Sequence, residues 1–152
     1  MERIMTHHRY LIIVLTFPLA LSGCSLPKTH KHNQESKYFS LSSPLTQLST
    51  DGEELIRTGN PPANLSDAEF INMATAHDPG LRAMFVDYEL HVQRGTPYVA
   101  ILVCEKKNGN TYAVQEDYSC TSKLDKQLWK DAPNSPCLFS AAIATVCPIS
   151  KK

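Results

Sequence analysis

Cysteine is the residue type with the most chemistry to offer in this chain, and it occurs at Cys24, Cys104, Cys120, Cys137 and Cys147. The last four are separated by 16, 17 and 10 residues. Four-cysteine zinc sites commonly use closely spaced pairs, so this spacing favours cross-links over a metal centre. The histidines past the N-terminal segment, His30, His32, His77 and His91, have no motif context that would make them ligands. His30 and His32 lie in a polar stretch, His77 suits a helix end, where the dipole favours a cation, and His91 suits the surface. Glu116-Asp117 beside Tyr118 is the densest polar cluster, expected at a strand end facing water. A catalytic use would require a pocket uniting Asp117, Tyr118 and the 131–136 loop. The chain contains no glycine-rich phosphate loop, nucleophile elbow, His-Glu-x-x-His sequence or calcium loop. The sequence therefore nominates no catalytic residue, no metal ligand and no cofactor, and the expectation is a non-enzymatic protein.

Fifteen Lys and Arg balance fifteen Asp and Glu, giving a formal net charge of +0. The lysines are scattered except for Lys106-Lys107 and Lys151-Lys152. A clustered basic face is the usual mark of a nucleic-acid binder, so that partner class is not expected, and no small-molecule substrate is evident. Arg3, His7, His8 and Arg9 precede an apolar run from Tyr10 to Ala20, which is the order of a secretory signal. The run is too short for a membrane-spanning helix, which needs roughly 20 residues. It closes on Leu21-Ser22-Gly23-Cys24.

These four residues resemble the lipobox of bacterial lipoproteins. The resemblance covers only the N-terminal segment. It implies cleavage before Cys24, diacylglycerol on the thiol, and a further acyl group, such as palmitate, on the new amine. Several acyl chains exceed the two membrane signals that stable anchoring needs. In that family aspartate after the cysteine favours retention at the inner membrane, and Ser25 here implies the outer membrane of a Gram-negative cell. With Cys24 lipidated, Cys104, Cys120, Cys137 and Cys147 form an even set in an oxidising compartment, and two disulfides follow.

Three regions are expected: a signal peptide over 1–23, a flexible tether over 24–49 and a disulfide-stabilised globular domain over 50–152. The tether, rich in Ser, Pro, Lys, His, Gln and Thr, would span on the order of 25 to 30 Å. In the domain, Ser66 and Glu69 form a capping box that opens a helix with Phe70, Ile71 and Ala74 on one face. Asp78 caps a second helix with Pro79 at its first position. Leu81, Met84, Phe85, Tyr88 and Val92 continue that helix as a core stripe to Gly95. Asp87 and Glu89, two apart on such a helix, would diverge and could not act together on one substrate atom.

Tyr98 to Cys104 is an apolar run of strand length, expected to be buried on both faces. Asn108-Gly109 supplies a type I′ turn, so residues 111–115 return beside it and Cys104 pairs with Ala113. Thr121 or Ser122 caps a short helix carrying Leu124, Leu128 and Trp129, and residues 138–146 form a C-terminal strand. The fold class is α+β: two N-terminal helices, a β-hairpin, a short helix and a last strand.

That register places Cys120 too far from Cys104 to bond, and Cys137 and Cys147 sit at opposite ends of one element. Two connectivities remain. The favoured one joins Cys120 to Cys137 and Cys104 to Cys147; the other joins Cys104 to Cys137 and Cys120 to Cys147. A stapled domain without catalytic residues points to a protein partner in the envelope, as an accessory subunit of an assembly or secretion machine. The alternative is a defensive binder such as a lysozyme or protease inhibitor, a toxin immunity protein or an exclusion factor.

Overall fold

A computed structural model describes residues 35–130 and 135–149. The fold is α+β: helices cover one face of a three-stranded antiparallel sheet, and an irregular C-terminal segment covers the other. None of the described helices is long and apolar enough to cross a membrane.

The first departure from expectation is where the domain begins. Residues 35–39 are helical, and α1 spans Ser42–Glu54, inside the expected tether. Tyr38, Leu41, Leu45 and Leu48 recur every three or four residues, so they fall on one face of helical backbone. All four are buried in the main core. The region is poor in apolar residues, but among the described ones all except Phe39, which is 64% exposed, are in phase. The tether reading fails from Tyr38 onward, while residues 24–34 lie outside the described residues. Gly52 lets α1 approach closely, since a Cβ there would lie 3.2 Å from the Phe70 ring and 3.4 Å from Val99. A π-helical turn, Leu55–Gly59, ends on left-handed Asn60.

The α2 helix, Asp67–Ala74, opens on the expected capping box: Ser66 Oγ accepts from Glu69 N–H at 3.3 Å, and Glu69 Oε2 accepts from Ser66 N–H at 2.8 Å. Phe70, Ile71 and Ala74 are buried as read. Asp78 caps α3, Pro79–Ala83, through Leu81 N–H. There the long second helix fails. The chain turns at residues 84–88 and becomes strand β1, Glu89–Arg94. Leu90 and Val92 pack against the helix-side core, which is the alternation of a strand with one buried face.

Strand β2, Val99–Lys107, lies between β1 and β3, Asn110–Tyr118. The turn has Asn108 at φ 52° and Gly109 at φ 80°, and Cys104 pairs with Ala113, both as expected. A bulge follows, because Val103 pairs with Gln115. The extra residue places Val114 and Gln115 together on the helix side, where Val114 joins the core and Gln115 Nε2 donates to Tyr38 O at 2.7 Å.

Beyond β3 the expected helix does not form. Asp125 Oδ2 instead accepts from Tyr118 N–H and from Thr121 Oγ, so the groups meant to cap a helix close a loop. Only a 3-10 turn, Leu128–Lys130, is helical here. The chain doubles back along the outer edge of β3, bridging Lys126 to Glu116 and Pro136 to Tyr112. It therefore reaches the hairpin end of the sheet by residue 136. From there residues 137–147 run back across the second face as a strap with one helical turn, α4, Ile143–Val146, and not as the expected strand.

That path corrects the disulfide pairing. Cys104 bonds Cys137 and Cys120 bonds Cys147, each with Cα atoms 5.8 Å apart. The favoured pairing assumed that the strap leaves from beside Cys120. The double-back along β3 moves its start to Cys104, and the other of the two remaining connectivities results.

Candidate functional site

The helix-side face is closed by contact among Leu45, Leu48, Phe70, Ile101 and Val103, all fully buried or nearly so. Three polar residues of β3, Gln115, Glu116 and Asp117, are also buried. Asp117 and Glu116 are fully buried, which overturns their expected exposure at a water-facing strand end. Alternation sends the two carboxylates to opposite faces. On the helix side Asp117 accepts hydrogen bonds from Ser49 Oγ and, at 3.4 Å, from Thr46 Oγ1 of α1. Burial raises Asp117 to about 6, partly offset by the Ser49 hydrogen bond.

On the strap side Glu116 accepts from Ser140 N–H at 2.7 Å and from Ser140 Oγ at 2.5 Å. Lys126 Nζ donates to the same Ser140 hydroxyl at 2.5 Å. Tyr118 donates to Ala141 O at 2.9 Å, and burial pushes its phenol up. Asp117 and Tyr118 therefore act on opposite sides of the sheet, so their side chains do not meet on one face. Of the 131–136 loop, residues 131–134 lie outside the described residues. These carboxylates are taken up in holding α1 and the strap to β3.

Other residues considered from sequence are dispersed, except that His91 lies beside the Cys104–Cys137 disulfide. Cys24, His30 and His32 lie outside the described residues. His77 Nε2 is 3.6 Å from Asp51 Oδ2, linking the end of α2 to α1. His91 is on β1, with Nδ1 3.8 Å from Asp67 Oδ2, and is 43% exposed. Asp87 lies in the turn before β1, and Glu89 in β1 itself, two residues from His91. Residues two apart share a face on a strand, so the geometric objection to joint action holds for a helix and not for Glu89 with His91.

A concave surface lies elsewhere among the described residues. A groove of 480 Å³ opens between α2, α3 and β1, walled by Ile71, Arg82, Phe85, Val86, Tyr88 and Leu90. Its volume is in the range of ligand and side-chain pockets. Val86 at its rim is 81% exposed, and neighbouring Met84 is 48% exposed. Arg82 is exposed beside them. By spacing alone Leu81, Met84 and Phe85 form a single core stripe. Leu81 and Phe85 do enter the core, whereas Met84 and Val86 face outward because the helix ends at Ala83. The signal for this is the early change from a spacing of four to alternation at Tyr88, Leu90 and Val92.

A smaller hollow of 180 Å³ lies between the Gly95–Tyr98 turn and the strap, lined by Tyr98, Ile143, Ala144 and Cys147. Its lining is mostly apolar. Comparison of the chain with protein-family models, with curated proteins and with solved structures finds no match.

Proposed function

We propose that this chain is a non-enzymatic lipoprotein, anchored through acylated Cys24 to the outer membrane, whose domain docks a protein partner of the cell envelope in the groove between α2, α3 and β1. The observation that carries the docking site is Val86, 81% exposed at the rim of a 480 Å³ apolar groove. An exposed aliphatic next to a cavity loses little order and gains apolar burial when covered. Arg82 on the same wall selects the partner's chemistry: an apolar side chain to fill the groove with a carboxylate beside it. The anchoring rests on Leu21-Ser22-Gly23-Cys24 after the short apolar run.

A photoreactive residue placed at Val86 in cells tests the docking site, with one at Lys107, near the hairpin tip, as control. A discrete adduct from Val86, absent from Lys107 and lost on Arg82→Glu, supports the assignment; equal adducts from both positions overturn it. Identification of a resident envelope component as the adduct favours an assembly or secretion role, whereas a foreign enzyme or toxin favours the defensive one. For the anchor, Cys24→Ala is expected to lose acyl labelling and leave the membrane fraction. Equal labelling of both proteins would remove the lipoprotein assignment without touching the groove.

A further inference from the structure

We propose that His91, Cys104 and Cys137 form a latent site for a thiophilic divalent cation such as zinc, closed while the disulfide stands and opened when a dithiol reduces it. One ligand atom from each of the three residues lies within 4.8 Å of the other two. The register explains why they meet. Glu89 is directly opposite Cys104, and His91 is two residues along β1 on the same face, while the strap brings Cys137 over that corner.

Tetrahedral zinc bound by thiolates at about 2.3 Å and imidazole at about 2.0 Å holds its donor atoms roughly 3.5 to 3.8 Å apart. Opening the disulfide lets the sulfurs separate to that spacing, and a side-chain adjustment brings the imidazole in. Asp67 Oδ2, which accepts from Val92 N–H at 3.1 Å, lies 3.8 Å from His91 Nδ1, so closing that gap would hold Nδ1 and leave Nε2 for the metal. A carboxylate behind the imidazole is the arrangement that orients a ligating histidine and raises its basicity. Glu89, exposed on the same face, or a water completes the four ligands. Entry is from the β1 side, since Cys104 is fully buried while His91 is 43% exposed.

The chemistry balances with a dithiol as reductant. It delivers two electrons and two protons to the Cys104–Cys137 bond, becomes a disulfide itself and leaves two protein thiols. The cation then displaces both thiol protons, binding two thiolates and one neutral imidazole, and two protons pass to solvent. One covalent clamp between β2 and the strap is exchanged for a coordinate one.

The test is anaerobic titration of the full chain with Co²⁺ after reduction by a phosphine, with far-ultraviolet circular dichroism on each sample. One equivalent is expected to give thiolate-to-cobalt charge transfer and tetrahedral visible bands, which Zn²⁺ abolishes, and the oxidised chain is expected to give neither. His91→Ala should weaken binding about tenfold or more. In the zinc-loaded wild type, Cys104 and Cys137 should resist alkylation while Cys120 and Cys147 react. Unchanged affinity in His91→Ala, binding that survives in urea after structure is lost, or equal protection of all four cysteines would each overturn the site.

Discussion

The two faces of this sheet are covered in different ways. On one, Leu45, Leu48, Phe70 and Ile71 come from helices that satisfy most of their own backbone groups, so the contact with Val99, Ile101 and Val103 is mainly apolar burial, with Asp117 and Gln115 adding hydrogen bonds to Ser49 and Tyr38. On the other, the strap has a single helical turn and few large apolar residues to offer, chiefly Phe139, Ile143 and Val146. Its own carbonyls and amides must find partners elsewhere. They find them in side chains of the sheet: Glu116 binds Ser140 N–H, Gln93 Oε1 accepts from Ile143 N–H at 2.9 Å, and Tyr118 donates to Ala141 O. Two disulfides then clamp both ends. A segment without regular structure is thus held mostly by covalent bonds and by point contacts, where a helix is held mostly by area.

If that distinction is correct, the largest effect belongs to the helix side and is global. Phe70 is fully buried between α1 and the sheet, and Phe70→Ala is expected to destabilise by about 3 to 5 kcal/mol. Amide exchange should then accelerate in the helices and all three strands together. If only α2 loosened while the sheet kept its protection, the helix side would not be a single cooperative core.

The strap should respond locally. Replacing Cys120 and Cys147 by alanine opens a clamp that spans 27 residues of sequence, and the chain-entropy argument gives a loss of about 3 to 4 kcal/mol. Exchange is expected to rise first at Ile143 N–H and Cys147 N–H, whose bonds are to Gln93 and Ile143, with α1 and α2 still protected. Uniform loss of protection would mean that the strap is part of the main core after all.

The buried carboxylate of the helix side makes stability depend on pH. Asp117, on the helix side, has its folded pKa raised to about 6 from 3.8, so between these values the folded state holds a proton that the unfolded state has released. Stability therefore falls as pH rises from about 4 to 6, and is regained on acidification. The loss is on the order of 1 to 3 kcal/mol by the usual conversion of about 1.4 kcal/mol per pH unit. Asp117→Asn should flatten this limb of a denaturant-midpoint profile. A limb that rises over the same interval, or one unchanged in the variant, would show that Asp117 is ionised at little penalty beside Ser49.

What could be read from the residues alone divides along the same line. The capping box at Ser66, the Asp78-Pro79 helix start and the Asn108-Gly109 turn are local chemistry, and each formed where its residues are. The elimination of Cys104 with Cys120 followed from one hairpin register and held. Three things depended on distant partners and were misread. The stripe from Leu81 to Val92 fits a helix until one asks what pairs with the second edge of β2, whose residues from Val99 to Cys104 are buried throughout and need a neighbour on each side. Leu41, Leu45 and Leu48 are few, and only the sheet that receives them makes their phase significant. The strap has no period at all, so its direction could not be read until the bridges of Lys126 and Pro136 to β3 were known. The groove was invisible for the first of these reasons, because it exists where the helix stops short.

The smallest expected effect separates these faces from the hairpin tip that belongs to neither. Gly109 has φ +80°, and a Cβ built there meets nothing within 4 Å, so any penalty for alanine comes from backbone conformation and not from crowding. A left-handed alanine is strained by roughly 1 to 2 kcal/mol, somewhat reduced because alanine also restricts the unfolded chain. The net loss for Gly109→Ala should be about 1 kcal/mol, read as a shifted midpoint with unchanged slope in urea. Gly52→Ala is the contrasting variant, since its φ lies outside the strained range and its Cβ would press on Phe70 at 3.2 Å. It should therefore perturb exchange in α1 and α2, whereas Gly109→Ala should perturb only amides near the turn, such as Asn110. If the two variants gave the same exchange pattern, the tip would be coupled to the helix-side core, and the division between area-held and point-held regions would not extend along the strands.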